Sequence, residues 1–160
     1  MTAVGCPVTV IGVGNVLLGD DGVGVAVIEM LRTAVVDVGP ALPADTRLVD
    51  GGTLGLDLLG FVREAAALVF VDAVDNSFRP GTVCVLRGTE LAADGALGEF
   101  FDTARLLGWL PERVALVGIQ IGSTGHGPGL TEPVAAAVPR AAAMVRAELR
   151  ALAARAEAAA

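Results

Sequence analysis

The sequence predicts an α/β protein: a three-layer arrangement with a five-stranded, mostly parallel sheet, one antiparallel strand, and helices on both faces. Three observations predict it. Five apolar, β-branched runs of strand length recur along the 160 residues. They are continuously apolar rather than alternating, the pattern of strands covered on both sides. Amphipathic helical segments separate most of them, and such alternation is the mark of this class.

Taken in order, the first run is Val8 to Val13, and a helical pattern follows with Val23, Val27, Ile28 and Leu31 on one face. The second run, Thr46 to Val49, precedes a helix over Leu54 to Val62 that aligns Leu54, Leu58, Leu59 and Val62. The third, Ala67 to Val71, leads to Thr82 to Leu86 through only nine residues after Asp72, Asn76, Ser77, Pro80 and Gly81 among them. A parallel crossover needs about a dozen residues or more, so this fourth run is expected to run antiparallel to its predecessor. A helix over Leu97 to Leu107, a strand over Val114 to Ile121 and a long Ala/Arg/Glu helix from about Pro139 to Ala156 complete the chain. Pro139 suits a first helical turn. One domain spanning residues 1–160 is the expected organisation.

Composition narrows the function. Apolar residues make up 54% and charged residues 18%, which excludes a disordered chain. The net charge of -7 argues against nucleic acid or an anionic membrane as partner, since both select a basic face. Cys6 and Cys84 form no CxxC or zinc-like cluster and read as small buried hydrophobes. No secretory signal and no membrane-length apolar stretch is found, so a cytoplasmic protein is expected.

The chemistry concentrates at strand ends. After the first strand comes Gly12-Val13-Gly14-Asn15-Val16-Leu17-Leu18-Gly19-Asp20-Asp21-Gly22-Val23-Gly24. It fails the dinucleotide fingerprint, because the third glycine position falls on Leu17 and two carboxylates stand where a pyrophosphate would dock. Either Asp20 or Asp21 suits a helix N-cap. Asp72 ends the third strand. If the first and third strands are neighbours, Asp21 and Asp72 converge on one crevice, and two like-charged hard oxygen ligands invite a cation. An imidazole would complete a transition-metal site. The single histidine, His126, lies in a loop after the last strand and reads either as a solvated residue or as such a ligand. Asp50-Gly51-Gly52-Thr53 ends the second strand; Asp50 reads as a turn residue and Thr53 as an N-cap, or both belong to the site.

These segments in this order, Gly12 to Asn15, Asp20 to Gly24, Asp50 to Thr53, Val71 to Ala73 and Gly129 to Thr131, resemble the maturation endopeptidases of [NiFe] hydrogenases, from Val8 to about Leu149. The resemblance implies an endopeptidase that removes the C-terminal extension of a nickel-loaded large-subunit precursor, with that precursor as partner. It implies catalytic and metal-contacting roles for Asp21 and Asp72, which recognise the substrate's nickel with no permanently bound cofactor. It places substrate recognition on Asn15, Asp50, Gly51, Gly52 and Thr53. The family's third metal contact is a histidine before the helix that here begins near Leu97, yet Leu91 to Gly98 contains none. Asp94 as an oxygen ligand, His126 from its own loop, or no third contact are the open alternatives; an aspartate would harden the site and weaken its preference for nickel. The alternative function is a non-cleaving relative that binds the precursor or its metal centre.

Overall fold

A computed structural model describes residues 7–33, 41–53, 55–91 and 95–158. Cys6, Leu54 and Asp94 lie outside them. The strands are β1 (Val8–Val13), β2 (Thr46–Gly52), β3 (Ala67–Val74), β4 (Val83–Arg87) and β5 (Val114–Gln120). They form one sheet in the order β2-β1-β3-β5-β4. Every pairing is parallel except β4 with β5. The short β3–β4 connection does reverse the chain, as its length requires, but it carries β4 past β5 to the sheet edge.

The helices are α1 (Val23–Thr33), α2 (Leu59–Glu64), α3 (Gly95–Leu106) and α4 (Glu132–Ala158). Alternate residues of the strands feed two cores. On one face Val10, Val69, Val71 and Val117 pack against Val27 and Ile28 of α1 and against Val138, Ala142 and Val145 of α4. On the other Ile11, Leu68, Phe70 and Leu116 meet Leu59 and Val62 of α2 and Phe100, Phe101 and Ala104 of α3. Phe70 anchors the second core with its ring edge-on to Phe101, 4.9 Å between centroids. Continuous apolar strands are thus the direct consequence of a sheet buried twice.

Three expectations need correction. The last helix begins at Glu132, so Pro133 occupies its first turn and Pro139 lies inside it. Pro139 cannot donate to the carbonyl of Ala135. Val134, Ala137, Val138, Ala141, Ala142, Val145 and Leu149, all buried, keep the helix seated across that gap. β2 continues beyond Val49 to Gly52 because Asp50 and Gly52 still pair with Gly12 and Val13. The expected helix over Leu54 to Val62 is a 3₁₀ turn, Leu56–Leu58, running into the short α2.

Candidate active site at the carboxyl edge of the sheet

The ends of β1, β2 and β3 open into a hollow of about 260 Å³ lined by Val13, Gly14, Asn15, Asp21, Thr53, Asp72, Ala96 and Leu97. It lies where ligands of open α/β sheets bind, beyond the carboxyl ends of parallel strands. Asp21 and Asp72 both face it. They come together because β1 and β3 are hydrogen-bonded neighbours, with Gly12 opposite Val71.

Local packing fixes Asp21. A Cβ on Gly24 would lie 2.3 Å from the Val13 carbonyl oxygen and 2.4 Å from that of Val71, so only glycine lets the first turn of α1 rest on the ends of β1 and β3. Gly14, at φ +136°, brings its backbone against the carbonyl of Asp21. The amide of Asn15 then donates to Asp21 Oδ2 at 2.7 Å. The Asn15 side chain turns back to accept from the Leu17 amide at 2.9 Å, so it shapes the loop while its residue lines the hollow.

Among the described residues Asp72 accepts only from its neighbour, the Ala73 amide, at 2.8 Å. Burial pushes its carboxyl up to about 7; the Ala73 bond pulls the other way, and the nearby Asp21 charge adds to the rise. Near neutral pH Asp72 is therefore protonated on a fraction of molecules set by pH.

The neighbouring Asp20 behaves differently. It caps no helix: the 3₁₀ turn Gly19–Gly22 has no side-chain cap bond. Its fully buried carboxylate instead reaches the segment between β5 and α4, accepting from the amides of Gly122 and Ser123 at 2.8 Å each and Thr131 at 2.7 Å, and from the Thr131 hydroxyl at 2.8 Å. Burial acts to raise its pKa, but the bonds from Ser123, Thr131 and Gly122 outweigh it and hold the group below the ordinary carboxylate value.

The Asp50 to Thr53 segment divides. Gly51 is the extra residue of a bulge where the β1–β2 register shifts, and Gly52 accepts from the Gly14 amide at 2.7 Å. Asp50 is exposed and accepts from the Gly52 amide at 3.0 Å. Thr53 caps nothing, since Gly55 precedes the 3₁₀ turn, and it lines the hollow. Of these four residues only Thr53 reaches the acidic hollow.

His126 is exposed and is not part of the hollow's lining. Among the described residues no group of three His, Cys, Asp or Glu side chains is placed to hold a metal. Cys84, on β4, is a half-buried free thiol. Two residues escaped the sequence reading. The tie from Asp20 has no local signal, because its partners lie more than 100 positions away. Gln120 is buried and accepts from the amides of Asn76 at 2.8 Å and Phe78 at 3.3 Å, which pins the β3–β4 loop. An apolar strand ending in glutamine was the only hint.

No helix among the described residues is long and apolar enough to cross a membrane. The profile of the family described as hydrogenase maturation protease (HycI) matches residues 25–148. The hydrogenase expression/formation protein HupD of Rhodobacter capsulatus is 39% identical, the match covering 90% of this chain and 71% of that protein. The hydrogenase 2 maturation protease of Escherichia coli K12 is 33% identical over 89% of this chain and 90% of its own length. The solved structure of the hydrogenase maturating endopeptidase HybD from E. coli superposes with a TM-score of 0.79 at 32% identity, covering 90% of this chain and 92% of that one.

Proposed function

From the premise that the chain belongs to the hydrogenase maturation protease family, we propose that it cuts the C-terminal extension from a nickel-loaded [NiFe] hydrogenase large-subunit precursor, with Asp21 and Asp72 receiving the precursor's metal. The observation that carries this reading is the meeting of those two carboxylates, 51 positions apart, in one hollow. Among the described residues each accepts one backbone amide, and a cation brought by a client would supply further compensation for their charge.

A client protein also suits the surroundings. Val16, Leu17, Leu56 and Phe78 are exposed apolar side chains, and all four lie on segments that follow the carboxyl ends of β1, β2 and β3. Exposed apolar side chains on the segments leaving this edge suit a surface that receives protein. In this reading Thr53 and Asn15 line the path of the chain to be cut, and Asp50, Gly51 and Gly52 set the shape of that wall. Docking the metal holds the scissile bond beside the acid pair, so the reaction gains from proximity and from polarisation of the carbonyl. Asp72 gives up its proton as the cation arrives.

The test is processing of a nickel-loaded precursor in vitro, read as the mass shift of the large subunit. Wild-type protein should shorten it, and Asp21→Asn and Asp72→Asn should each slow the reaction by about a hundredfold or more. A precursor left intact by the wild type, or cut equally fast by Asp21→Asn, would overturn the assignment.

A further inference from the structure

A second hollow, of about 180 Å³, adjoins the acidic one and is lined by Gly55, Leu56, Ala96, Glu99, Phe100 and Thr103. The two meet at Ala96, which lines both. Thr53 stands in the first and Gly55 in the second, so the same segment walls both on the side of β2.

We infer that this second hollow is a specificity subsite that takes one mid-sized aliphatic side chain of the precursor, two positions along the chain from the residue held at Asp21 and Asp72. The inference rests on the processing role proposed above. The spacing comes from α3. Ala96, Glu99, Phe100 and Thr103 recur at three- and four-residue intervals, so they form one stripe along the helix. Four residues of helix from Ala96 to Phe100 advance about 6 Å. Two residues of an extended peptide advance about 6.6 Å and return its side chain to the same face.

The chemistry of the walls sets the occupant. Phe100 is buried and closes the hollow, whereas Leu56 remains 76% exposed, an apolar cover with nothing to cover. A cavity of this size has room for a valine, leucine or isoleucine side chain. Glu99 stands at the rim, and the Thr103 hydroxyl is turned inward to the Glu99 carbonyl at 2.9 Å and offers no free donor. An acidic side chain at that position would meet a carboxylate, and no basic side chain is among the described residues of the lining, so the subsite discriminates by refusal as well as by fit.

The experiment compares wild-type protein with Thr103→Phe, which fills the hollow, and Leu56→Ala, which removes its cover from an exposed position and leaves the core intact. Substrates are the nickel-loaded precursor and precursor variants carrying Asp at each of the two positions lying two residues from the cut. Thr103→Phe should lower kcat/KM about tenfold or more, mainly through KM, and Leu56→Ala should act in the same direction. One Asp variant should be a poor substrate for the wild type, with Glu99→Gln recovering much of the loss. Unchanged kcat/KM in folded Thr103→Phe and Leu56→Ala, or an Asp penalty that Glu99→Gln leaves untouched at both positions, would overturn the subsite. Should the wild type bind the precursor without cutting it, the processing role falls while the same variants, read as Kd by calorimetry, still decide the subsite. If the wild type neither cuts nor binds, both fall.

Discussion

Asp20 and Asp21 are adjacent in the chain, yet the structure treats them in opposite ways. Asp20 accepts four hydrogen bonds from Gly122, Ser123 and Thr131 and sits below the ordinary carboxylate pKa despite complete burial. Among the described residues Asp21 and its partner across the hollow, Asp72, each accept a single backbone amide, and Asp72 is pushed up to about 7. The first carboxylate is consumed by the fold. The second pair is left short of donors at a place where the backbone takes trouble to hold it. A difference of this kind between neighbours is what the proposed role predicts: one residue stabilises the protein, the others await a ligand.

The sharpest way to break the comparison is to remove the tie. Asp20→Ala leaves three buried amides and a hydroxyl without their acceptor, and it frees the segment between β5 and α4 from the turn that carries Asp21. The expected cost is about 4 kcal/mol of unfolding free energy at pH 7, read from urea denaturation. Because the folded-state pKa of Asp20 is depressed, its contribution is present above the unfolded value of 3.8 and is lost as pH falls through the folded one. The difference between wild type and Asp20→Ala should therefore shrink below pH 4. A loss under 1 kcal/mol at pH 7 would show that the hydrogen bonds seen here are not what holds that segment.

The opposite sign is expected across the hollow. A carboxyl raised from 3.8 to about 7 binds its proton more tightly in the folded state than in the unfolded one. Stability then falls as pH rises from about 4 to about 7 and stays level above. Asp72→Asn should abolish that slope and raise stability by about 3 kcal/mol at pH 8, somewhat below the full value of the shift because the group is only partly sheltered. Thermal unfolding in the presence of a chelator, at pH 5 and pH 8, reads both. A less stable Asp72→Asn at pH 8 would mean that the carboxylate is better satisfied than its surroundings indicate.

Why the sequence disclosed one carboxylate role and not the other follows from range. The sheet, its antiparallel fourth strand and the helix faces are written in local periodicity, and Val23, Val27, Ile28 and Leu31 are buried as their spacing requires. The convergence of Asp21 and Asp72 needed only one further step, that β1 and β3 be neighbours. Pro139 misled because a proline favours a first turn on local grounds, while the start of α4 is fixed by Pro133 and by the tie from Asp20 to Thr131, residues too far apart for any local pattern. Thr53 stays open in the sequence between a cap and the site, since its type suits a cap; the bulge at Gly51 and the turn at Gly55 carry it into the hollow. The helix near Leu97 was legible in its spacing; that Ala96, Glu99, Phe100 and Thr103 front a second hollow depends on where Leu56 sits.

The smallest effect sharpens the reserve argument most directly. If Asp72 keeps a proton until a cation displaces it, binding must release that proton in proportion to the protonated fraction. With a carboxyl at about 7, cation binding should release about 0.9 proton at pH 6 and about 0.1 at pH 8. Apparent affinity should accordingly rise about tenfold between those two pH values, equal to about 1.4 kcal/mol. Calorimetric titration with cadmium, a probe for the metal the precursor would carry, in two buffers of different ionisation enthalpy separates proton release from binding heat. Asp72→Asn should abolish the release, and Asp20→Asn, if folded, should leave it intact, because the tied carboxylate has no proton to give at either pH. Proton release that persists in Asp72→Asn, or affinity that is flat from pH 6 to 8, would place the titrating group elsewhere and dissolve the contrast between the consumed carboxylate and the reserved pair.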